Sequence, residues 1–89
     1  MELCNLVEIF VKQEIDKLFK EPDFKGCTCE RCKKDIAALA LNRLKPKYVV
    51  TEQGKVLGKL DIYEPQAQVN ILAAIIAANK IVQANKNHM

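Results

Sequence analysis

Four cysteines are the residues of this chain whose type and spacing point to a definite chemistry. Cys27, Cys29 and Cys32 lie in one short string, and Cys4 lies near the start of the chain. Zinc takes four ligands tetrahedrally, and a Cys-x-x-Cys spacing lets one tight turn present two thiolates about 3.5 to 4 Å apart. We therefore predict one zinc ion bound by all four cysteines. Such a closed site leaves no open position for water, so the metal would be structural.

The cysteine pattern leaves alternatives open. The thiols could be buried without metal, form a redox-active pair, or hold an iron–sulfur cluster. Asp35 or His88 could also replace Cys4 as the fourth ligand. We expect a cytoplasmic protein, because Cys4, Glu8 and Lys12 interrupt any leader-like apolar run, and reducing thiol pools there keep structural disulfides open.

Length and charge limit the possible functions. We expect a single domain, residues 1–89, and at this size a metal or a partner subunit commonly adds stability. The chain carries 14 basic and 11 acidic residues and a formal net charge of +3, which is too small and too mixed for a typical nucleic-acid surface. The longest apolar run, residues 69–78, covers about ten residues, whereas a membrane-spanning helix needs about 20. No membrane segment is predicted.

Apolar residues recur at three- and four-residue spacing in three segments. This pattern predicts helices over residues 3–19, 30–44 and 66–85, with Cys4 on the inner face of the first. Residues 48–51 and 56–60 flank a Gly-containing turn and predict a short β-hairpin. The predicted fold is mainly α with a short β-hairpin, a small zinc-stapled helical domain forming a homodimer.

The third predicted helix is apolar on two stripes, and a helix of that kind must be covered on two sides. We expect dimerisation through this helix, with Ile75 in the interface. The first stripe contains Ile71, Ala74, Ile75, Ala78 and Val82, and the second contains Val69, Leu72, Ala73 and Ile76.

Two charged residues, Glu14 and Arg43, fall on the apolar stripes of their helices. A buried arginine without a partner is costly. Either the two residues pair within the core or Arg43 faces a cavity, and we favour the cavity.

The string CTCERCKKDIAALALNRLKPKYVV, residues 27–50, closely resembles the signature of the late competence protein ComFB family. That signature contains Cys-x-Cys-x-x-Cys, then Asp, Ala-Leu-Ala-Leu-Asn and a Pro-x-Tyr-Val ending. The resemblance implies a small, mainly helical bacterial homodimer that uses its cysteine motif for zinc and has no enzymatic activity. Some members of the family are regarded as receptors for cyclic dinucleotides such as cyclic di-GMP or cyclic di-AMP.

A cyclic dinucleotide needs cations for its phosphates and planar groups for its purines. The residues considered for this role are Arg31, Asp35, Asn42, Arg43 and Tyr48, with Lys45 and Lys47 nearby. Each also has an ordinary interpretation. Arg31 could be a solvated charge, Tyr48 a half-buried strand residue, Asp35 a group that orients a thiolate, and Asn42 a helix cap.

Catalysis has little support, because the chain shows no pair of nucleophile and base and no phosphate-binding glycine loop. We predict a receptor for a second messenger. A ligand-free adaptor that docks onto an unknown protein partner is the second interpretation, and DNA binding is the third.

Overall fold

The computed structural model describes residues 2–85, and within them it contains helices and one two-stranded antiparallel sheet. The helices are α1 Leu6–Phe19, α2 Glu30–Leu41, α3 Glu52–Ile62 and α4 Pro65–Ala84. The strands are β1 Cys4–Asn5 and β2 Tyr48–Val49. The mainly α fold with a short antiparallel β pair is confirmed, and three predicted helices are present with shifted ends.

The most extensive contact in the fold joins α2 to α4, and α1 also packs against α2. Ile36 and Ala40 of α2 have no exposed surface, and neither have Val11 and Ile15 of α1. On α4 the buried residues form what we call the inner stripe: Ile71, Ala74, Ile75, Ala78 and Val82. The core therefore lies between α2 and its two neighbours.

The first helix begins later than predicted, so Cys4 lies in a strand and not on a helical face. The Asn5 side chain caps α1 by accepting a hydrogen bond from the Val7 N–H at 3.2 Å. The same oxygen accepts the Lys47 N–H at 2.8 Å. Because the Asn5 side chain bonds to the backbones of both Val7 and Lys47, it holds the residues before α1 alongside β2. There Cys4 pairs with Val49.

The second helix ends at Leu41 and not at residue 44. The Arg43 N–H bonds to the Ala40 carbonyl at 3.0 Å and the Leu44 N–H to the Leu41 carbonyl at 3.3 Å, which are three-residue turns. Pro46 follows two residues later, and the residue before a proline avoids helical angles. Arg43 is therefore exposed, and its expected place on a buried stripe is wrong.

Glu14 does not pair with Arg43. It is partly buried and bonds to Lys17 at 3.2 Å on the same helix. The Glu14 carboxylate lies at the edge of the core, where Lys17 balances its charge. It therefore needs no partner inside the core.

The predicted β-hairpin is wrong in its second half, because residues 56–60 belong to α3. The Thr51 hydroxyl caps this helix by accepting the Gly54 N–H at 2.9 Å, and Glu52 stands in its first turn. The Gly-containing segment, predicted as the turn of a hairpin, therefore forms the first turn of α3. The first strand, Tyr48–Val49, is real but pairs with Cys4–Asn5.

Helix α4 presents an apolar surface on both sides. Its inner stripe is buried, so Ile75, at 3% exposure, is a core residue of its own subunit and its expected place in a dimer interface is wrong. The outer stripe, defined by Val69, Leu72, Ala73 and Ile76, is exposed. Within residues 2–85, α4 alone has the length and composition of a membrane-spanning helix, properties that a core helix shares.

The cap of α3 gives a test of this correction. We expect Thr51→Ala to lower the free energy of unfolding by about 1 kcal/mol, because it removes the acceptor for an N-terminal amide. Thr51→Ser keeps the hydroxyl and should retain most of the stability. Urea denaturation compares the two, and equal stability of the alanine and serine variants would contradict the cap.

Candidate metal centre and binding pocket

Three cysteines converge at the start of α2. The sulfur atoms of Cys27, Cys29 and Cys32 all lie within 4.8 Å of one another, and sulfurs around a tetrahedral zinc ion are about 3.8 Å apart at Zn–S distances near 2.3 Å. None of the four cysteines forms a disulfide. The chemistry and spacing of these donors fit a thiophilic metal ion, and only a small adjustment separates them from zinc geometry.

The helix itself positions two of the three sulfurs. Cys29 is the N-cap of α2, and its sulfur accepts the Cys32 N–H at 3.5 Å. This bond orients the Cys29 sulfur toward the first turn, where Cys32 points into the core with no exposed surface. Cys27 precedes the helix, so the loop must position it.

The environments of these thiols differ. Burial raises the pKa of the Cys32 thiol to about 12, and hydrogen bonds with Cys27 and Cys29 add to the shift. Hydrogen bonds lower the pKa of Cys29, with the Cys32 amide as the largest contributor and Cys27 next. A bound cation would have to displace the proton of Cys32, whereas Cys29 gives up its proton more readily.

Positive charge beside the cluster is partly neutralised. The Lys33 ammonium lies 2.7 Å from Asp16 of α1, and this hydrogen bond raises the pKa of the lysine. The ion pair also fastens the first turn of α2 to α1, next to the cysteines.

Cys4 does not join the group of three sulfurs. It is partly buried in β1 and packs against the core. Because β1 pairs with β2 after the end of α2, Cys4 lies at the opposite end of that helix from the three sulfurs. Asp35 lies on α2 one turn beyond the cluster and contacts Arg31 at 3.9 Å, while His88 lies outside the described residues. The identity of a fourth ligand therefore stays a prediction.

A pocket opens at the opposite end of α2. It has a volume of about 730 Å³, within the range of about 300 to 1,000 Å³ that is common for small-molecule sites. Its cationic wall is the segment after α2, and its floor comes from α4. The residues that line it are Val7, Arg43, Leu44, Lys45, Pro46, Lys47, Asp61, Ile62, Ala67, Asn70, Ile71, Ala73 and Ala74.

The cationic side chains of this pocket differ in whether a carboxylate already neutralises them. Lys47 lies 2.6 Å from Asp61 across the wall. Arg43 and Lys45 form no salt bridge with any residue between 2 and 85. The pocket can therefore offer two unneutralised cations to an anionic guest.

The structure places only one of the five predicted ligand residues in this pocket. Arg43 lines it, Asn42 is the exposed C-cap of α2, and Tyr48 is exposed on β2 directly after Lys47. Arg31 lies in the first turn of α2, next to the cysteines, and Asp35 lies one turn further along the helix. At a rise of 1.5 Å per residue they are roughly 18 Å and 12 Å from Arg43.

Sequence reasoning missed two further polar residues. Asn70 reaches the pocket from α4, and Gln83 hydrogen-bonds the backbone of Cys27. For Gln83 the available signal was a polar residue on an apolar helix, because a partly buried polar group needs a partner. Asn70 is exposed and carries no such signal.

Comparisons with known proteins agree on one family. Residues 4–86 match the model of the family described as Late competence development protein ComFB. The chain is similar to the Competence protein ComFB of Bacillus subtilis (strain 168), with 25% identity over 87 residues, 98% of this chain and 88% of that protein. A solved structure, described as the structural characterization of the late competence protein ComFB from Bacillus subtilis, matches with a TM-score of 0.76 and 26% identity. That match covers 97% of this chain and 96% of the other.

The unequal thiols can be measured. After treatment with a chelator, iodoacetamide at neutral pH is expected to modify Cys29 well before Cys32, because Cys29 is exposed with a lowered pKa and Cys32 is buried with a raised one. Peptide mapping by mass spectrometry gives the order. Equal rates for the two residues would contradict the arrangement, and both should react quickly in urea, where the fold no longer distinguishes them.

Proposed function

Because this chain belongs to the late competence development protein ComFB family, we propose that it is a competence-related regulatory protein and not an enzyme. In this proposal it is a cytoplasmic, zinc-stabilised homodimer that binds a cyclic dinucleotide, cyclic di-GMP or cyclic di-AMP. The observation that carries the ligand proposal is the pocket with Arg43 and Lys45 on its wall.

The metal part of the proposal is supported by the converging thiols of Cys27, Cys29 and Cys32. Zinc, when bound, crosslinks its ligands and contributes directly to folding free energy. A small subunit gains most from such a crosslink, because its core alone supplies little stability. Cys4, the fourth ligand expected from the sequence, lies on β1 beside Val49 at the opposite end of α2, so we propose a site of three thiolates completed by a group other than this cysteine.

Zinc content and stability test this part together. Purified protein should contain about one zinc per subunit by elemental analysis, and Cys32→Ser should lose the metal and melt at a much lower temperature. Cys4→Ser should leave the zinc content unchanged, because Cys4 lies on β1 beside Val49 and outside the group of three sulfurs. A chelator-treated protein with an unchanged melting temperature would contradict the structural role of the metal.

The ligand part of the proposal rests on charge and shape. A cyclic dinucleotide carries two phosphates and two purines, and an arginine can bind one phosphate through two parallel hydrogen bonds. Arg43 and Lys45 offer positive charge, Asn70 offers an amide for a purine edge, and apolar residues from α4 form the floor. Tyr48 follows Lys47 on β2 but does not line the pocket, so stacking of its ring on a purine stays a prediction.

Matched arginine variants test the pocket. We expect Arg43→Ala to keep its melting temperature, because the side chain is exposed, and to lose at least tenfold in cyclic-dinucleotide affinity, since each strong charged hydrogen bond contributes about 1.5–3 kcal/mol. Arg31→Ala removes the same charge outside the pocket and should bind as the wild type does. Calorimetry against cyclic di-GMP, cyclic di-AMP and duplex DNA gives the affinities. Unchanged affinity of Arg43→Ala would remove this residue from the site, and binding of DNA alone would contradict the receptor proposal.

The homodimer part of the proposal is supported by the outer stripe of α4. Val69, Leu72 and Ile76 are 59%, 44% and 54% exposed and lie at spacings of three and four residues. A continuous apolar stripe of this kind on a helix surface typically marks an interaction site. A second copy of the chain covers it with the same surface, as a two-fold symmetric interface requires.

Two isoleucines of α4 provide a matched test. Ile76→Asp would place a charge in the apolar interface, and we expect a folded monomer by sedimentation because burial of an unpaired charge is costly. Ile81 is 41% exposed and, five residues further, lies about 140° away around the helix. Ile81→Asp should remain a dimer. A dimeric Ile76→Asp protein would exclude the outer stripe as the interface.

An adaptor function is the second candidate, and α3 favours it. Val56, Leu57 and Leu60 are 62%, 64% and 67% exposed on this short helix. These side chains form an apolar face that a protein partner could cover. An adaptor without a ligand predicts no heat with any cyclic dinucleotide in the calorimetry above.

A further inference from the structure

Gln83 of α4 contacts the loop that precedes α2 and carries Cys27. Its side-chain oxygen accepts the Cys27 N–H at 2.8 Å, and its side-chain nitrogen donates to the Cys27 carbonyl at 3.1 Å. The same nitrogen donates a second bond to the Asn79 side-chain oxygen at 3.2 Å. One carboxamide therefore satisfies both backbone groups of a cysteine that is distant in sequence, and its nitrogen is also bonded to Asn79, one turn earlier on α4.

The loop approaches this carboxamide so closely that a side chain at residue 26 would displace the end of Gln83. A Cβ atom at Gly26 would lie 2.5 to 2.8 Å from the terminal atoms of the Gln83 side chain. The glycine is needed here for close approach of the backbone, since its φ angle is not positive. Gly26 and Gln83 thus form a matched pair.

Cys27 depends on this contact more than the other two cysteines do. Cys29 and Cys32 are placed by the first turn of α2, whereas Cys27 precedes the helix and is only partly buried. A ligand on a free loop must be ordered when the metal binds, and that ordering costs conformational entropy. A hydrogen-bonded loop has already lost this freedom, so it binds the metal more tightly.

We propose that Gln83 is a positioning residue for the metal centre: its carboxamide holds the Cys27 backbone so that the three thiols converge before metal binds. This inference rests on the proposed zinc site. Groups that orient metal ligands typically change metal affinity by 10- to 100-fold when they are removed.

The contact also couples the metal centre to α4. Gln83 lies in the last turn of this helix, and metal that orders the loop will hold that turn through the carboxamide. Coupling of this kind is reciprocal. Zinc should therefore slow the hydrogen exchange of the amides at residues 81–85, and it should do so only while Gln83 is present.

Two glutamines of α4 permit a controlled experiment. Gln83→Leu removes all three hydrogen bonds, and Gln66→Leu removes a similar amide contact, that of Gln66 with Asn70 at 3.0 Å, far from the cysteines. Zinc affinity of the full-length chain is measured by competition with a chromophoric chelator, and the melting temperature of each zinc-free protein is recorded beside it. We expect a 10- to 100-fold loss of zinc affinity for Gln83→Leu and no change for Gln66→Leu.

A second variant changes the loop residue of the same contact. Gly26→Ala should displace the flexible end of Gln83 with little effect on the rest of the fold, and it should weaken zinc binding in the same way. It carries the test if Gln83→Leu fails to fold. Loss of zinc protection at residues 81–85 in either variant, with protection kept in Gln66→Leu, supports the proposal.

The possible failures are distinguishable. Wild-type zinc affinity in both Gln83→Leu and Gly26→Ala would overturn the positioning role and leave the zinc site standing. A wild-type protein that takes up no zinc would overturn the proposed metal centre, and the role of Gln83 with it.

Discussion

The packing of α2 against the inner stripe of α4 is the interaction on which the rest of this structure depends. It buries Ile36 and Ala40 on one side and Ile75 and Ala78 on the other, and it fixes the direction of α2 through the molecule. Both candidate sites lie at the ends of that helix. The thiols gather at its first turn and the cationic pocket opens after its last, so movement of α2 relative to α4 would disturb both.

The two ends of α2 suit opposite kinds of chemistry. The N-terminus has unpaired amides and a partial positive charge, which favour thiolates and the N-cap role of Cys29. The C-terminus has unpaired carbonyls, and the positive charges of Arg43 and Lys45 are favourable beside them. A ligand bound among those cations would sit on residues of α4, the helix that also carries Gln83 and the outer stripe. Helix α4 is thus the physical link between metal, ligand and dimer in the proposed function.

Small size explains why these features share so few elements. A chain of 89 residues buries a limited core, and many of its large apolar side chains remain on the surface: Leu3, Ile9, Val50, Val56, Leu57, Leu60, Val69, Leu72, Ile76 and Ile81. Metal binding and association are the two usual remedies for such a shortage. The exposed faces of α3 and α4 point to association, and the converging cysteines point to metal.

The sequence by itself determined the features that depend on neighbouring residues. Helical spacing revealed α1, α2 and α4, and the Cys-x-Cys-x-x-Cys spacing brought three sulfurs together, because such contacts need only one turn of backbone. Only the tertiary structure decided which α4 stripe is buried, since both stripes are equally apolar and their partner is distant in the chain. It also decided the strand pairing of Cys4, which depends on the two bonds of Asn5. Sequence patterns predicted a hairpin turn where α3 begins, because a glycine three residues after Thr51 fits a turn as well as a capped helix. They could not find the Gln83 contact at all, because a carboxamide and a loop 56 residues apart meet only when α2 and α4 have packed.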